Sequence, residues 1–142
     1  DPDLLQQVFI NLFSNSLHAL RQAGVVKIGA EITDRGFTQA SPATNHWLRI
    51  SFEDNGVGID PEHIDRVFDP FFTTKDVGEG TGLGLSVSYG IIQEHGGDIR
   101  VESEPGRFTR FIIYLPTEQP KQSYDSEISS DSTIQTGNHQ PR

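Results

Sequence analysis

Apolar residues recur at helical spacing over residues 1–22. Leu5, Val8, Phe9, Leu12, Phe13, Leu17 and Leu20 form a broad arc, which predicts a helix with one buried side. Asp1 can cap its start, Pro2 suits the first helical position, and Gly24 stands where a helix stop is expected. Residues 25–34 alternate instead, with Val26, Ile28, Ala30 and Ile32 on one side and Lys27, Glu31 and Thr33 on the other, which predicts a strand. Residues 35–46 carry Gly36, Pro42 and Asn45 and read as a hairpin loop, and residues 46–54 alternate as the return strand. Trp47, Arg49, Ser51 and Glu53 share one face of it. Leu48, Ile50, Phe52 and Asp54 share the other, so the Asp54 carboxylate falls on the core side at the strand's end. Asp60-Pro61-Glu62 predicts a short helix capped by Asp60. Phe68, Phe71 and Phe72, in an aromatic run broken by Pro70, are expected to plug a small satellite core and anchor the loop that follows. Residues 83–97 predict a second long helix that stops at Gly96-Gly97. Leu83, Val87 and Ile91 share its apolar face, while Gly84 and Ser88 allow close packing on another. Strands at 98–104 and 107–116, joined by Pro105-Gly106, end the pattern, with Thr109, Phe111, Ile113 and Leu115 on one face of the last. From Thr117 the chain is polar with scattered charge, which predicts a disordered tail or linker over 117–142 and one foldable domain over 1–116.

Composition narrows the function classes. Cysteine is absent, which excludes disulfides and thiolate metal sites and fits a reducing compartment. No apolar run approaches the about 18 residues of a membrane span, and no signal peptide opens the chain. A cytoplasmic domain without direct membrane contact is expected, whatever anchors its parent. Methionine is absent too, so the chain is expected to be a piece of a longer protein. The net charge of −9 argues against nucleic acid or anionic lipid as partner. A polyanionic ligand would need backbone N–H groups and a divalent cation to overcome that field.

Candidate chemistry concentrates in residues 54–86, DNGVGIDPEHIDRVFDPFFTTKDVGEGTGLGLS. Asp54, Gly56 and Gly58 open the stretch. Gly80, Gly82 and Gly84 close it just ahead of the second helix, with Thr73, Thr74 and Lys75 in the loop between. Glycine lets a backbone approach a ligand closely, and a helix start presents free N–H groups to an anion, so the stretch predicts a nucleotide site. Asp54 is either a turn cap before Asn55-Gly56 or an acceptor for a ligand's amino group. Lys75 is either solvated or a contact to a terminal phosphate. On the first helix Gln7, Asn11, Asn15 and His18 share a face opposite the apolar arc. That face is either a solvated surface or a wall whose carboxamide oxygens suit a hard cation such as Mg2+. The run GEGTGLG does not follow a strand and no Gly-Lys-Ser/Thr follows it, which disfavours Rossmann and Walker A loops. No EF-hand spacing, zinc spacing, nucleophile elbow or paired-carboxylate pattern stands out.

The segments NLFSNSLHAL (11–20), DNGVGI (54–59), VFDPFF (67–72) and GTGLGLS (80–86) resemble the N, G1, F and G2 boxes of sensor histidine kinases. Those boxes belong to the ATP-binding catalytic domain of two-component systems, in the superfamily that includes gyrase, Hsp90 and MutL. The FFTTK form with a short lid most resembles the nitrogen-regulation subtype. The resemblance implies a two-layer α/β sandwich of the Bergerat type, with a mixed sheet on one side and helices on the other. It implies ATP bound with Mg2+ between the N box and the lid. Asn15 would then ligate Mg2+ with Asn11 close by, and Asn11, Asn15 and Lys75 would serve catalysis. Asp54 would accept from the adenine amino group, Gly56 and Gly58 would line the base pocket, and Thr109 would help hold the base through a water. Lys75 and His18 would meet phosphates. Thr74, Gly80, Thr81, Gly82, Leu83 and Gly84 would form the lid and the phosphate cradle, with the three glycines as hinges. Hydrolysing relatives such as gyrase place a glutamate base where Asn11 stands. An amide cannot take a proton at neutral pH, so the resemblance implies transfer rather than hydrolysis. Ser16 stands where the family usually has Ala, and Phe108 where a glycine is common. The family strand that precedes the first helix has no counterpart ahead of Asp1, so a sheet short of an edge is expected.

Family acceptor histidines are followed by Glu or Asp. His18, His46, His63, His95 and His139 are followed by Ala, Trp, Ile, Gly and Gln. The expected function is therefore a protein-histidine kinase domain that binds Mg-ATP and transfers the γ-phosphoryl group to a histidine on a separate dimerisation domain. A response regulator is the implied partner downstream. The alternatives are a degenerate nucleotide-binding or docking module, or a serine/threonine kinase or ATPase of the same superfamily.

Overall fold

The computed structural model describes residues 1–36, 46–74 and 82–118. Helix α1 runs Pro2–Ala19, strand β1 Val26–Thr33, β2 Trp47–Asp54, helix α2 Gly84–Glu94, β3 Asp98–Glu104 and β4 Phe108–Pro116, with a 3-10 turn at Ile64–Arg66. Asp60 caps the turn leading into that 3-10 segment, its carboxylate accepting the Glu62 N–H at 2.9 Å. Of the tail expected over 117–142, Thr117 is tied beside β2, its N–H and hydroxyl donating to the His46 carbonyl at 3.0 and 2.8 Å, and residues 119–142 lie outside the described residues. None of the described helices is long and apolar enough to cross a membrane.

The strands form one sheet in the order β1-β2-β4-β3. Every pairing among the described residues is antiparallel, where a mixed sheet was expected. Strands β2 and β3 do run parallel across the α2 connection. Strand β4 inserts between them, so no parallel pair forms. Both helices lie against one face, and the two-layer α/β sandwich holds. Val8 and Leu12 of α1 and Ile91 and Ile92 of α2 meet Ile50, Phe52, Ile99, Phe111, Ile113 and Leu115 of the sheet. Each such side chain contributes roughly 1.5–3 kcal/mol on burial, and this layer holds the cavity walls in register.

Helix α1 starts as expected, with the Asp1 carboxylate accepting the Asp3 N–H at 2.9 Å. It stops at Ala19 rather than near Gln22, because the Ala19 carbonyl is taken by the Val57 N–H of the loop after β2, at 3.0 Å. The apolar arc is wider than its contact. Val8 and Leu12 are fully buried, whereas Phe13 and Leu17 stay exposed. On α2 the packed face runs through Ser88, Ile91 and Ile92, and Val87 is exposed. The small side at Gly84 and Ser88 packs closely on α1, as expected, with Asn11 bonded to both. Of the expected apolar face Ile91 is buried and Val87 is not. The expected satellite core is also absent from the described residues. Phe68 joins the main core beside Phe111 and Tyr89, Phe72 sits under the Arg66 guanidinium, and Phe71 is 74% exposed.

Strand alternation places Phe108 on the sheet face away from the helices. Its ring lies 5.3 Å from the Arg110 guanidinium, which bridges Glu53 and Glu102 at 2.7 and 2.8 Å. The bulky residue therefore stacks outside, and Thr109 keeps the inner face.

Candidate nucleotide site

A cavity of about 490 Å³ opens between α1, the loop after β2 and the segment entering α2. That volume suits a small organic ligand. Asn11, Asn15, His18, Asp54, Gly58, Thr74, Gly82, Gly84 and Thr109 all line it, so residues far apart in sequence converge on one space.

Asp54 forms the floor. It is 2% exposed, and one carboxylate oxygen accepts the Gly56 N–H at 2.9 Å. Burial pushes its pKa above the ordinary value, opposed by the Gly56 N–H and the Ser16 hydroxyl, while the Glu53 charge adds to the rise. Ser16, 1% exposed, favours the ionised form yet closes no hydrogen bond of good geometry. None of the described ion pairs includes Asp54. A buried acid without a cation is costly to hold, so it calls for a donor from a ligand. Thr109 sits beside it, directly opposite across the β2–β4 pairing.

The glycines after β2 answer to close approach. A Cβ on Gly56 would lie 2.3 Å from the Ala19 carbonyl oxygen, so nothing larger fits between α1 and the floor. Gly58 has φ +74°, and a Cβ there would lie 2.5 Å from the Glu104 carbonyl oxygen. Gly106 donates its N–H to the Val57 carbonyl at 2.7 Å, which pins the same loop from the β3–β4 turn.

The α1 wall carries amides. Asn11 Nδ2 donates to the Gly84 carbonyl and to Ser88 Oγ, both at 3.2 Å. Both amide protons are then committed to α2, which leaves the Asn11 carboxamide oxygen to accept a cation or water. Asn15 lines the cavity one turn further on. His18 donates Nδ1–H to the Ser14 carbonyl at 2.6 Å, which leaves Nε2 for the cavity side of its chemistry. Helix α2 begins at Gly84 with no side-chain capping bond from its N-cap residue, and among the described residues the N–H groups of its first turn are the kind that receive an anion.

Some expected residues fall elsewhere. Gly56 supports Asp54 from its own N–H and is not a lining residue, and Leu83 precedes α2 without lining the cavity. Lys75, Gly80 and Thr81 lie outside the described residues. Ser14, Ala19, Val57, Ile59, Val67, Phe72, Leu85 and Phe111 line the cavity without having been singled out for it. All but Phe111 lie inside the four box segments, which is their sequence signal, and Phe111 follows Thr109 by one strand period. No group of His, Cys, Asp or Glu among the described residues forms a metal site of its own.

The arrangement defines a two-layer α/β domain whose helix–sheet cleft offers a buried acceptor at its floor and amide oxygens along its rim. The family described as histidine kinase-, DNA gyrase B-, and HSP90-like ATPase matches residues 1–119, and the chain belongs to it. Sensor histidine kinase ZraS of Escherichia coli K12 is 40% identical over 116 residues, covering 82% of this chain and 22% of that protein. Sporulation kinase E of Bacillus subtilis is 41% identical over 119 residues, covering 84% of this chain and 14% of that protein. This chain thus spans about a fifth or less of such relatives. Among solved structures, the catalytic domain of histidine kinase ThkA superposes with a TM-score of 0.63 at 36% identity, over 82% of this chain and 69% of that one. The mycobacterial sensor histidine kinase MprB gives a TM-score of 0.67 at 26% identity, over 82% and 72%.

Proposed function

We propose that this domain binds Mg-ATP in the cleft and acts as the catalytic part of a sensor histidine kinase, passing the γ-phosphoryl group to a histidine on another domain. The observation that carries the reading is the buried Asp54 carboxylate on the same cavity as Asn11 and Asn15. The free carboxylate oxygen accepts from the exocyclic amine of adenine, as a desolvated acid requires. Gly58 and Ile59 lie along the base, and the polyphosphate runs toward the uncapped start of α2. Asn15, with the Asn11 oxygen nearby, holds the cation. Bound Mg2+ supplies charge neutralisation on the phosphates, which a domain of net charge −9 cannot supply by itself.

Asp54 is the one carboxylate among the described lining residues, and it sits at the base end. At the phosphate end Asn11 has its amide protons tied to α2 and cannot take a proton from water. That favours transfer to an external nucleophile over hydrolysis. His18 and Lys75 are proposed phosphate contacts, with Thr74, Gly80, Thr81, Gly82 and Gly84 closing over the nucleotide. The partners are then a histidine-bearing dimerisation domain and a response regulator, in the cytoplasm where ATP is available.

Calorimetric titration with a non-hydrolysable ATP analogue tests the reading, with saturable one-to-one binding that weakens when Mg2+ is chelated as the expected result. Adding a histidine-bearing hairpin domain and γ-labelled ATP is expected to yield acid-labile phosphate on the hairpin. A melting temperature indifferent to nucleotide would favour the docking-module alternative.

A further inference from the structure

We propose that Ser103, on β3 and not itself a lining residue, sets the base specificity of the cleft by fixing the direction of the Thr109 hydroxyl proton. The floor then only accepts hydrogen bonds and selects a 6-amino purine over a 6-oxo purine. The inference rests on the nucleotide reading above and names the determinant of its substrate class.

The argument is a count of protons. A serine hydroxyl has one proton and two lone pairs. The Ile59 N–H donates to Ser103 Oγ at 2.8 Å and occupies one lone pair. The Phe108 carbonyl lies 2.7 Å from Ser103 Oγ and can only accept, so it takes the single proton. Thr109 Oγ1 lies 3.1 Å from the same atom. With the Ser103 proton committed, Thr109 must donate into the remaining lone pair. Its hydroxyl therefore has no proton left for the cavity, which it lines at 4% exposure.

Asp54 stands opposite Thr109 across the β2–β4 pairing and, when ionised, is also only an acceptor. Ser16, the remaining hydroxyl near Asp54, does not line the cavity. A purine bearing an amino group at position 6 meets two acceptors with donors. A 6-oxo purine in the same seat sets an oxygen against them. Buried polar groups left unpaired in this way are what let a site reject a near-isosteric ligand.

The test compares ATP with inosine triphosphate, whose base differs at position 6 and in the attendant N1 proton, by calorimetric Kd on the whole chain with Mg2+. The parent is expected to favour ATP. Ser103→Ala removes the acceptor of the Thr109 proton and frees that proton for the 6-oxo group, so the ATP preference is expected to fall about tenfold, or about 1.4 kcal/mol. Ser103→Thr keeps a hydroxyl on the strand and is expected to retain the preference. Thr109→Val cuts the same connection at its other end, and the double variant is expected to discriminate no less than Thr109→Val alone. If Ser103→Ala weakens both nucleotides by one factor and leaves their ratio intact, Ser103 is merely structural and the proposal fails. Should Ser103→Ala not fold, an unchanged ratio in Thr109→Val overturns it. A parent that binds neither nucleotide overturns the nucleotide reading itself, a result separable from a lost preference.

Discussion

Replacing Asp54 with asparagine keeps the shape of the floor and removes its charge. Asp54 is 2% exposed, so a bond from its carboxylate to a ligand amine is shielded from water. Such charge-assisted bonds contribute about 1.5–3 kcal/mol, which corresponds to roughly a 10- to 150-fold weaker Kd for Mg-ATP in Asp54→Asn. Stability should not follow affinity. Burial already raises the pKa of this acid, so the empty fold works against its charge, and the variant is expected to melt at the same temperature or higher. The pH dependence separates the two effects. Between the ordinary value of 3.8 and the raised folded value, the folded chain binds more protons than the unfolded chain. The contribution of this group to stability is therefore full below 3.8 and is lost as pH rises through the folded pKa. Nucleotide binding runs the opposite way and weakens as pH falls through the same value, because the acceptor must be ionised. Isothermal titration across acid pH, paired with thermal melts of the nucleotide-free protein, reads both. An Asp54→Asn variant that binds Mg-ATP as tightly as the parent, with the same pH profile, would refute the role of the carboxylate.

Other substitutions probe the walls. Asn15→Ala is expected to cut the gain in nucleotide affinity on adding Mg2+ by about tenfold while leaving metal-free binding unchanged, as read by titration with and without chelator. Gly56→Ala drives a Cβ to 2.3 Å from the Ala19 carbonyl oxygen and 2.9 Å from an Asp54 oxygen, and it is expected to cost about 1–3 kcal/mol in denaturant unfolding. Ser16→Ala deletes a buried hydroxyl that closes no hydrogen bond of good geometry, so stability is expected to stay level or rise by up to about 1 kcal/mol. The same change removes a group that favours ionised Asp54, so the acid limit of nucleotide binding is expected to move to higher pH.

Most elements were legible because their patterns are local. The alternation of β2 put Asp54 on the inner face, and the structure buries it there beside Ile50 and Phe52. The caps at Asp1 and Asp60 also form where the residues suggested. Misreadings arose where a third element decided the outcome. On α2 the close packing expected at Ser88 forms, but of the expected apolar face only Ile91 is buried and Val87 stays exposed, because the approach of α1 and the sheet sets which residues are covered. Phe68, Phe71 and Phe72 are equally apolar in sequence. Only the fold sends one to the core, one to solvent and one to the cavity wall.

Periodicity and box residues determined the elements, the family resemblance and the chief polar groups, because each depends on neighbours a few positions away. The tertiary structure decided the rest. It placed β4 between two strands that run the same way and set Ser103 against Thr109 six residues later. It also committed the Asn11 amide to a helix start 73 residues distant. Those outcomes depend on distances across the sheet and between helices, and no local pattern carries such distances.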